Sequence, residues 1–261
     1  MRTATWRRNF RRTLFVVSAA MSALFLTAGV AFAQFGQPSP ITEEGKSIHN
    51  LYLIVTAAAA VVFVLVEAVL LYVIFRYRKR SDDLPPQVHG SSLLEVVWTS
   101  IPILIVIGLF VSSFVVLVDV EEDAPEDALT VQVTGFQFSW EFAYDLSDLG
   151  RGEPQGEGMV SVIGTAANRP TLVIPVNEPV EFRLVSNDVI HSFYVRDFLY
   201  KLDVIPGRDN RFTVTATKTG EYHGQCAEFC GLDHEAMRFT LKVVEREEFD
   251  AYIADLAAGA R

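Results

Sequence analysis

Cysteine is scarce: the 261-residue chain has two, beside five histidines, four methionines and three tryptophans. Two thiols exclude a disulfide-rich scaffold and leave room for one disulfide or one metal site. Repeats and low-complexity tracts are absent, which excludes a solenoid or collagen-like architecture. Basic charge is also short. The chain has 22 Lys and Arg against 32 Asp and Glu, a formal net charge of −10. From residue 121 onward there are 25 acidic and 12 basic side chains, a net of −13, and no basic patch. That balance excludes nucleic acid as a partner. It favours solubility, and it speeds encounter with a basic protein.

Apolar residues are plentiful, at half of the chain, and their grouping divides it. Residues 1–33 read as a signal peptide: Arg2, Arg7, Arg8, Arg11 and Arg12 precede an apolar run, and Ala31-Phe32-Ala33 is a small-x-small cleavage site. An uncleaved first membrane helix is the competing reading, for which the run is short. Residues 34–50 form a polar exported linker with Pro38 and Pro40. Residues 51–75 are apolar enough to cross a bilayer, with Glu67 as their one charge. Glu67 either faces partner protein or lies near the interface. Arg76, Arg78, Lys79 and Arg80 hold the loop at 76–92 in the cytoplasm. The second span, 93–118, starts with Trp98 at the interface and tolerates Pro102. Glu95 at its cytoplasmic end reads, on residues alone, as a solvated carboxylate or a helix N-terminal charge. Both ends of this hairpin lie on the exported side, and 119–127 is an acidic linker.

From residue 128 to 245 the hydrophobic period becomes two. Val180, Phe182 and Leu184 alternate with charges; Phe212, Val214 and Ala216 alternate with threonines; Met237, Phe239, Leu241 and Val243 close the series. These predict half-buried antiparallel strands in a Greek-key sandwich or barrel. Residues 246–261 predict a short helix, with Phe249, Ile253 and Leu256 on one face, and a tail. Residues 135–144 read as an aromatic strand on which Phe138 and Trp140, two apart, face the same side.

Both cysteines fall in one stretch, 220–237. Cys226, Cys230, His234 and Met237 lie within twelve residues. Thiolate, imidazole and thioether together favour copper, and a weak methionine ligand points to electron transfer. Thiolates this close can bridge two ions; a second histidine is then needed, and His191, in a strand-like run, is the natural donor. Spacing alone leaves a disulfide or a Cys2His2 zinc site open, but neither uses Met237.

The pattern G-x-Y-x-G-Q-C-x-E-x-C-G-x-x-H-x-x-M from Gly220 to Met237 resembles subunit II of the haem–copper cytochrome c oxidases. So do D-x-x-H from Asp188 to His191 and D-x-I-P-G-R from Asp203 to Arg208. The resemblance runs from about residue 40 to 244. It implies an α+β membrane protein: a two-helix transmembrane hairpin followed by an all-β cupredoxin domain on the exported side. It also implies the dinuclear copper centre CuA, bridged by Cys226 and Cys230 and capped by His191 and His234. Met237 would be a weak ligand to one copper, and the Glu228 backbone carbonyl would bind the other. The Glu228 side chain would help hold magnesium at the boundary with subunit I. Glu95 matches the glutamate of the family's E-x-x-W-T-x-x-P, at the mouth of a proton channel in subunit I. Phe138 replaces the family tryptophan over the copper where electrons arrive, while Trp140 is kept. Phe138, Trp140 and the acidic Asp188 are therefore the expected docking residues.

The implied function is subunit II of a proton-pumping cytochrome c oxidase in a bacterial inner (plasma) membrane, with the CuA domain on the periplasmic or outer side. It would take electrons from cytochrome c and pass them to haem in subunit I, with subunit III as a further partner. The alternative is the CuA subunit of a membrane nitric oxide reductase, against which Glu95 discriminates. A quinol oxidase subunit lacks the copper ligands, and nitrous oxide reductase has a second large domain. Copper-delivery and disulfide-exchange proteins lack Glu228 and Met237 at these spacings.

Overall fold

The computed structural model describes residues 16, 19, 36–79, 87, 90–145, 158–165 and 167–259. The signal peptide expected at 1–33 lies outside the described residues except for Val16 and Ala19, as does most of the loop at 80–89.

Helix α1 spans Glu43–Arg76 and helix α2 spans Ser92–Val120. Thr42 caps α1: its side chain accepts from the Gly45 N–H at 2.9 Å, and Glu43 and Glu44 sit in the first turn, where the helix dipole favours them. The cap places the helix start eight residues before the apolar run, so residues 43–50 are helical rather than linker. At 1.5 Å per residue the helix is about 50 Å long, well beyond a hydrocarbon core of about 30 Å. The surplus docks onto the β-domain. Glu44 accepts from the Thr215 N–H at 3.1 Å, and the Ser47 hydroxyl donates to Asp119 at the end of α2 at 3.0 Å. The two helices therefore run antiparallel. Their remaining length is apolar and exposed all round, as at Phe63 and Leu104, which suits lipid and not water.

Among the described residues, ten strands follow α2: β1 (Leu129–Phe136), β2 (Ser139–Asp145), β3 (Met159–Ile163), β4 (Thr171–Pro175), β5 (Pro179–Ser186), β6 (His191–Val195), β7 (Tyr200–Val204), β8 (Asn210–Thr215), β9 (Gly220–Cys226) and β10 (Arg238–Val244). They form two five-stranded sheets, ordered β3-β2-β1-β5-β8 and β4-β10-β9-β6-β7. The period-two residues point between them: Phe182, Leu184, Val214, Phe239, Leu241 and Val243 are all buried. Pairing is mostly antiparallel, but β1–β5 and β4–β10 run parallel. Alternation reports which face is buried and is silent on strand direction, so the antiparallel expectation fails at these two pairings. Phe193 stacks on Phe239 with centroids 5.0 Å apart, and Trp140 meets both rings edge-on. The closing helix α3, Arg246–Ala257, buries Phe249, Tyr252, Ile253 and Leu256 against the sandwich.

Candidate metal centre

The donors expected from the sequence meet at one end of the sandwich. Cys226 ends β9, His191 opens β6, and the loop between β9 and β10 carries Glu228, Cys230, His234 and Met237. The contiguous motif places the loop donors, while strand pairing brings in His191 from 35 positions away: β6 lies beside β9 with Phe193 opposite Cys226. The Met237 carbonyl accepts from the Cys226 N–H at 2.9 Å, closing the loop on itself.

Both cysteines are free and buried, with their sulfurs 3.9 Å apart. His191 Nδ1 lies 3.9 Å from Cys226 Sγ, and the Glu228 carbonyl oxygen 3.2 Å from the same sulfur. His234 Nδ1 lies 3.6 Å and Met237 Sδ 3.8 Å from Cys230 Sγ. Four donor atoms thus flank the pair of thiols, one imidazole and one weak donor to each, making six in all. That set is too rich in sulfur and too large for one tetrahedral zinc, and it fits soft copper.

Burial raises the Cys226 thiol pKa, but hydrogen bonds from His191 and the neighbouring backbone outweigh it and bring the value down to about 7. Cys230 goes the other way: burial and the charge of Cys226 push it up to about 12. The protein alone therefore holds one thiolate readily, and a bound cation must displace the second proton.

Asp188 fixes the outer side of His191. Its carboxylate lies 2.7 Å from His191 Nε2 and accepts from the Gln137 and Val189 N–H groups at 2.7 and 2.6 Å. With Nε2–H donating to the carboxylate, Nδ1 keeps its lone pair towards the thiols, free to bind a metal. Burial alone would raise Asp188 and lower His191. The contacts with His191 and the backbone outweigh it for Asp188, and those with Cys226 and Asp188 outweigh it for His191.

The aromatic stretch differs from the expected single strand. Gln137 and Phe138 are the two-residue turn between β1 and β2, with Phe136 opposite Ser139. Phe138 is partly buried and packs on Gly231, whose φ of +137° and contact with the ring leave no room for a side chain. Trp140 is wholly buried, its ring 6.1 Å from that of His191 and its Nε1–H directed at the Met237 carbonyl. It supports the centre from inside and is not a docking contact. The segments that touch this turn carry exposed apolar residues: Phe229 (78% exposed) and Leu232 (93%) lie on either side of Gly231 in sequence, and Val189 and Ile190 follow Asp188. Phe229 also lies over His234, with ring centroids 5.8 Å apart. Glu95 is elsewhere, in the first turn of α2, roughly 40 Å along that helix from its β-domain end.

Sequence reasoning missed Gln137. Its side-chain amide donates to the Cys230 carbonyl at 2.6 Å, a contact spanning 93 positions with no local signal.

Comparison with known proteins places the chain. Residues 129–244 match the family described as cytochrome c oxidase subunit II, periplasmic domain, and residues 29–116 match the family described as cytochrome c oxidase subunit II, transmembrane domain. A probable cytochrome c oxidase subunit 2 of Streptomyces avermitilis is 36% identical, covering 96% of this chain and 89% of the relative. The corresponding Rickettsia bellii protein is 34% identical over 83% of this chain and 80% of its own length. The crystal structure of the periplasmic domain of cytochrome oxidase subunit II from Bradyrhizobium japonicum is 32% identical, with a TM-score of 0.44, over 52% of this chain and 99% of that one. With this coverage of both halves, the chain belongs to the cytochrome c oxidase subunit II family, as a membrane protein carrying a CuA-type domain.

Proposed function

We propose that Cys226 and Cys230 bridge two copper ions, with His191 and His234 as terminal ligands and Met237 and the Glu228 carbonyl as weak ones. One observation carries this: four soft or neutral donor atoms converge on two unbonded, buried thiols 3.9 Å apart. When bound, the copper pair supplies one-electron chemistry between a cytochrome c and the haem of subunit I, where oxygen is reduced and protons are pumped.

The protein's part is to hold the donors still and dry. Cys226, Cys230 and Met237 are buried beneath the loop, and the Trp140–Phe193–Phe239 cluster backs them. A packed sandwich resists rearrangement, so the ligand positions change little between oxidation states. Asp188 holds the tautomer of His191, and Phe138 covers Gly231 at the surface.

The remaining roles follow the family pattern. The exposed Glu228 side chain contributes to a magnesium site completed by subunit I. Glu95 feeds a proton channel in that subunit, and subunit III completes the assembly in a bacterial inner membrane. Residues 1–33 serve as the export signal. A basic cytochrome c docks on the apolar patch around Phe138, steered by the acidic domain and with Asp188 at its rim. Every relative named above is a cytochrome c oxidase subunit, which favours this reading over nitric oxide reductase. Elemental analysis of the purified chain tests the site: two coppers per chain are expected, falling when either cysteine is replaced by serine. One metal per chain, or a Cys226–Cys230 disulfide in the copper-loaded protein, would contradict it.

A further inference from the structure

The two ligand loops come from distant parts of the chain, and one residue outside both touches each. Gln137 lies in the β1–β2 turn. Its backbone N–H donates to Asp188, the carboxylate that holds His191, at 2.7 Å. Its side-chain amide donates to the carbonyl of Cys230 at 2.6 Å. Because that carbonyl can only accept, the NH2 end of the amide must face it. The same amide nitrogen would sit 2.9 Å from a Cβ on Gly231, so Gln137 rests directly on the residue after the ligand. The turn itself cannot drift, because β1 is paired on both sides, with β2 and β5, and the Asn187 N–H donates to the Gly135 carbonyl.

We infer that Gln137 is a positioning residue for the copper centre: a brace that fixes the His191 loop relative to the Cys230 loop. Neither loop alone determines that relation. β6 pairs with β9 through Phe193, Tyr194 and Val195, the Ala227 N–H donates to the Ser192 carbonyl, and His191 itself pairs with Val204 of β7, so no strand pairing runs from His191 to Cys230. Cys230 lies in a loop whose own closure is through Met237. A single side chain and its backbone N–H join the two across the mouth of the site. Hydrogen bonds around the ligands tune a metal's affinity and potential, so the brace acts on the electronic properties of the pair as well as on its retention.

This rests on the copper assignment above, and the test separates the two. In the purified oxidase, Gln137→Met keeps the side chain's length and removes the donor, while Gln137→Asn keeps the donor and shortens its reach by one methylene. Gln132→Ala, on the same hairpin with its amide on Thr134, controls for general loosening. Both Gln137 variants are expected to keep two coppers as isolated but to show an altered hyperfine pattern and a shifted midpoint potential. They should also lose copper to a chelator about tenfold faster. Gln132→Ala should match the parent in all three. Parental spectrum and potential in either copper-loaded Gln137 variant, or equal changes in Gln132→Ala, would overturn the brace alone. A parent without the copper pair would overturn the metal assignment and the brace together. If Gln137→Met fails to assemble, Gln137→Asn decides by the same readouts.

Discussion

Asp188→Asn tests whether the acid beside His191 orders the site or only decorates its rim. The carboxylate receives three contacts: Gln137 N–H on one oxygen, Val189 N–H and His191 Nε2 on the other. Asparagine has the same shape but one acceptor oxygen, so at least one donor must face an NH2 group. Hydrogen bonds to charged groups are worth about 1.5–3 kcal/mol, and partial exposure of Asp188 argues for the low end. A loss of about 1.5 kcal/mol in the copper-free chain is expected, roughly a tenfold change in the unfolding equilibrium. The effect should depend on pH. The Asp188 pKa is lowered, so its contribution is present above the ordinary carboxylate value of about 4 and is lost as pH falls through the lowered one. The His191 pKa is raised, so its contribution is complete below the ordinary value of about 6.5 and is lost as pH rises through the raised one. The difference between parent and variant should peak at roughly pH 5, between those two values. Denaturant unfolding of the full chain in detergent, followed through the near-ultraviolet signal of buried Trp140, measures it. A difference that is flat with pH, or below the error, would refute the coupling.

Met237→Leu preserves volume at a fully buried position, so folding should change by less than about 1.5 kcal/mol, while the midpoint potential shifts and copper is retained. An unchanged potential would make Met237 a core residue only. Glu95→Ala should slow turnover of the assembled enzyme with copper content and cytochrome c affinity unchanged; normal turnover across the pH range would return it to a solvated carboxylate. Phe138→Ala should lower electron transfer from cytochrome c more than a similar change on the remote strand β3, and turnover should fall as ionic strength rises. Rates that climb with salt would point to an acidic or neutral donor.

Local chemistry was the readable part. Both membrane helices show as long apolar runs, and the sandwich shows as alternation at Phe182, Phe212 and Phe239. The ligand loop is contiguous, so spacing alone gathers Cys226, Cys230, His234 and Met237. Relations between distant segments were not readable. The start of α1 depends on Thr42 and on Glu44 reaching Thr215, 171 positions away. Phe138 and Trp140 have the spacing of strand neighbours, yet the turn at Gln137–Phe138 sends one to the surface and the other into the core. Glu181 has the alternation of an outward residue and is nevertheless buried, with Arg183 at 2.7 Å and Arg211 at 3.8 Å. The same limit hid Gln137, whose partner Cys230 is brought to it only by the packing of the two sheets.

In the proposed centre, Cys226 and Cys230 hold a pair of coppers as one electronic unit. Electron paramagnetic resonance of the copper-loaded protein tests it most directly. One unpaired electron shared equally by two copper nuclei should give a seven-line hyperfine pattern, lost in Cys226→Ser and in Cys230→Ser. A four-line pattern from a single copper nucleus would contradict the account.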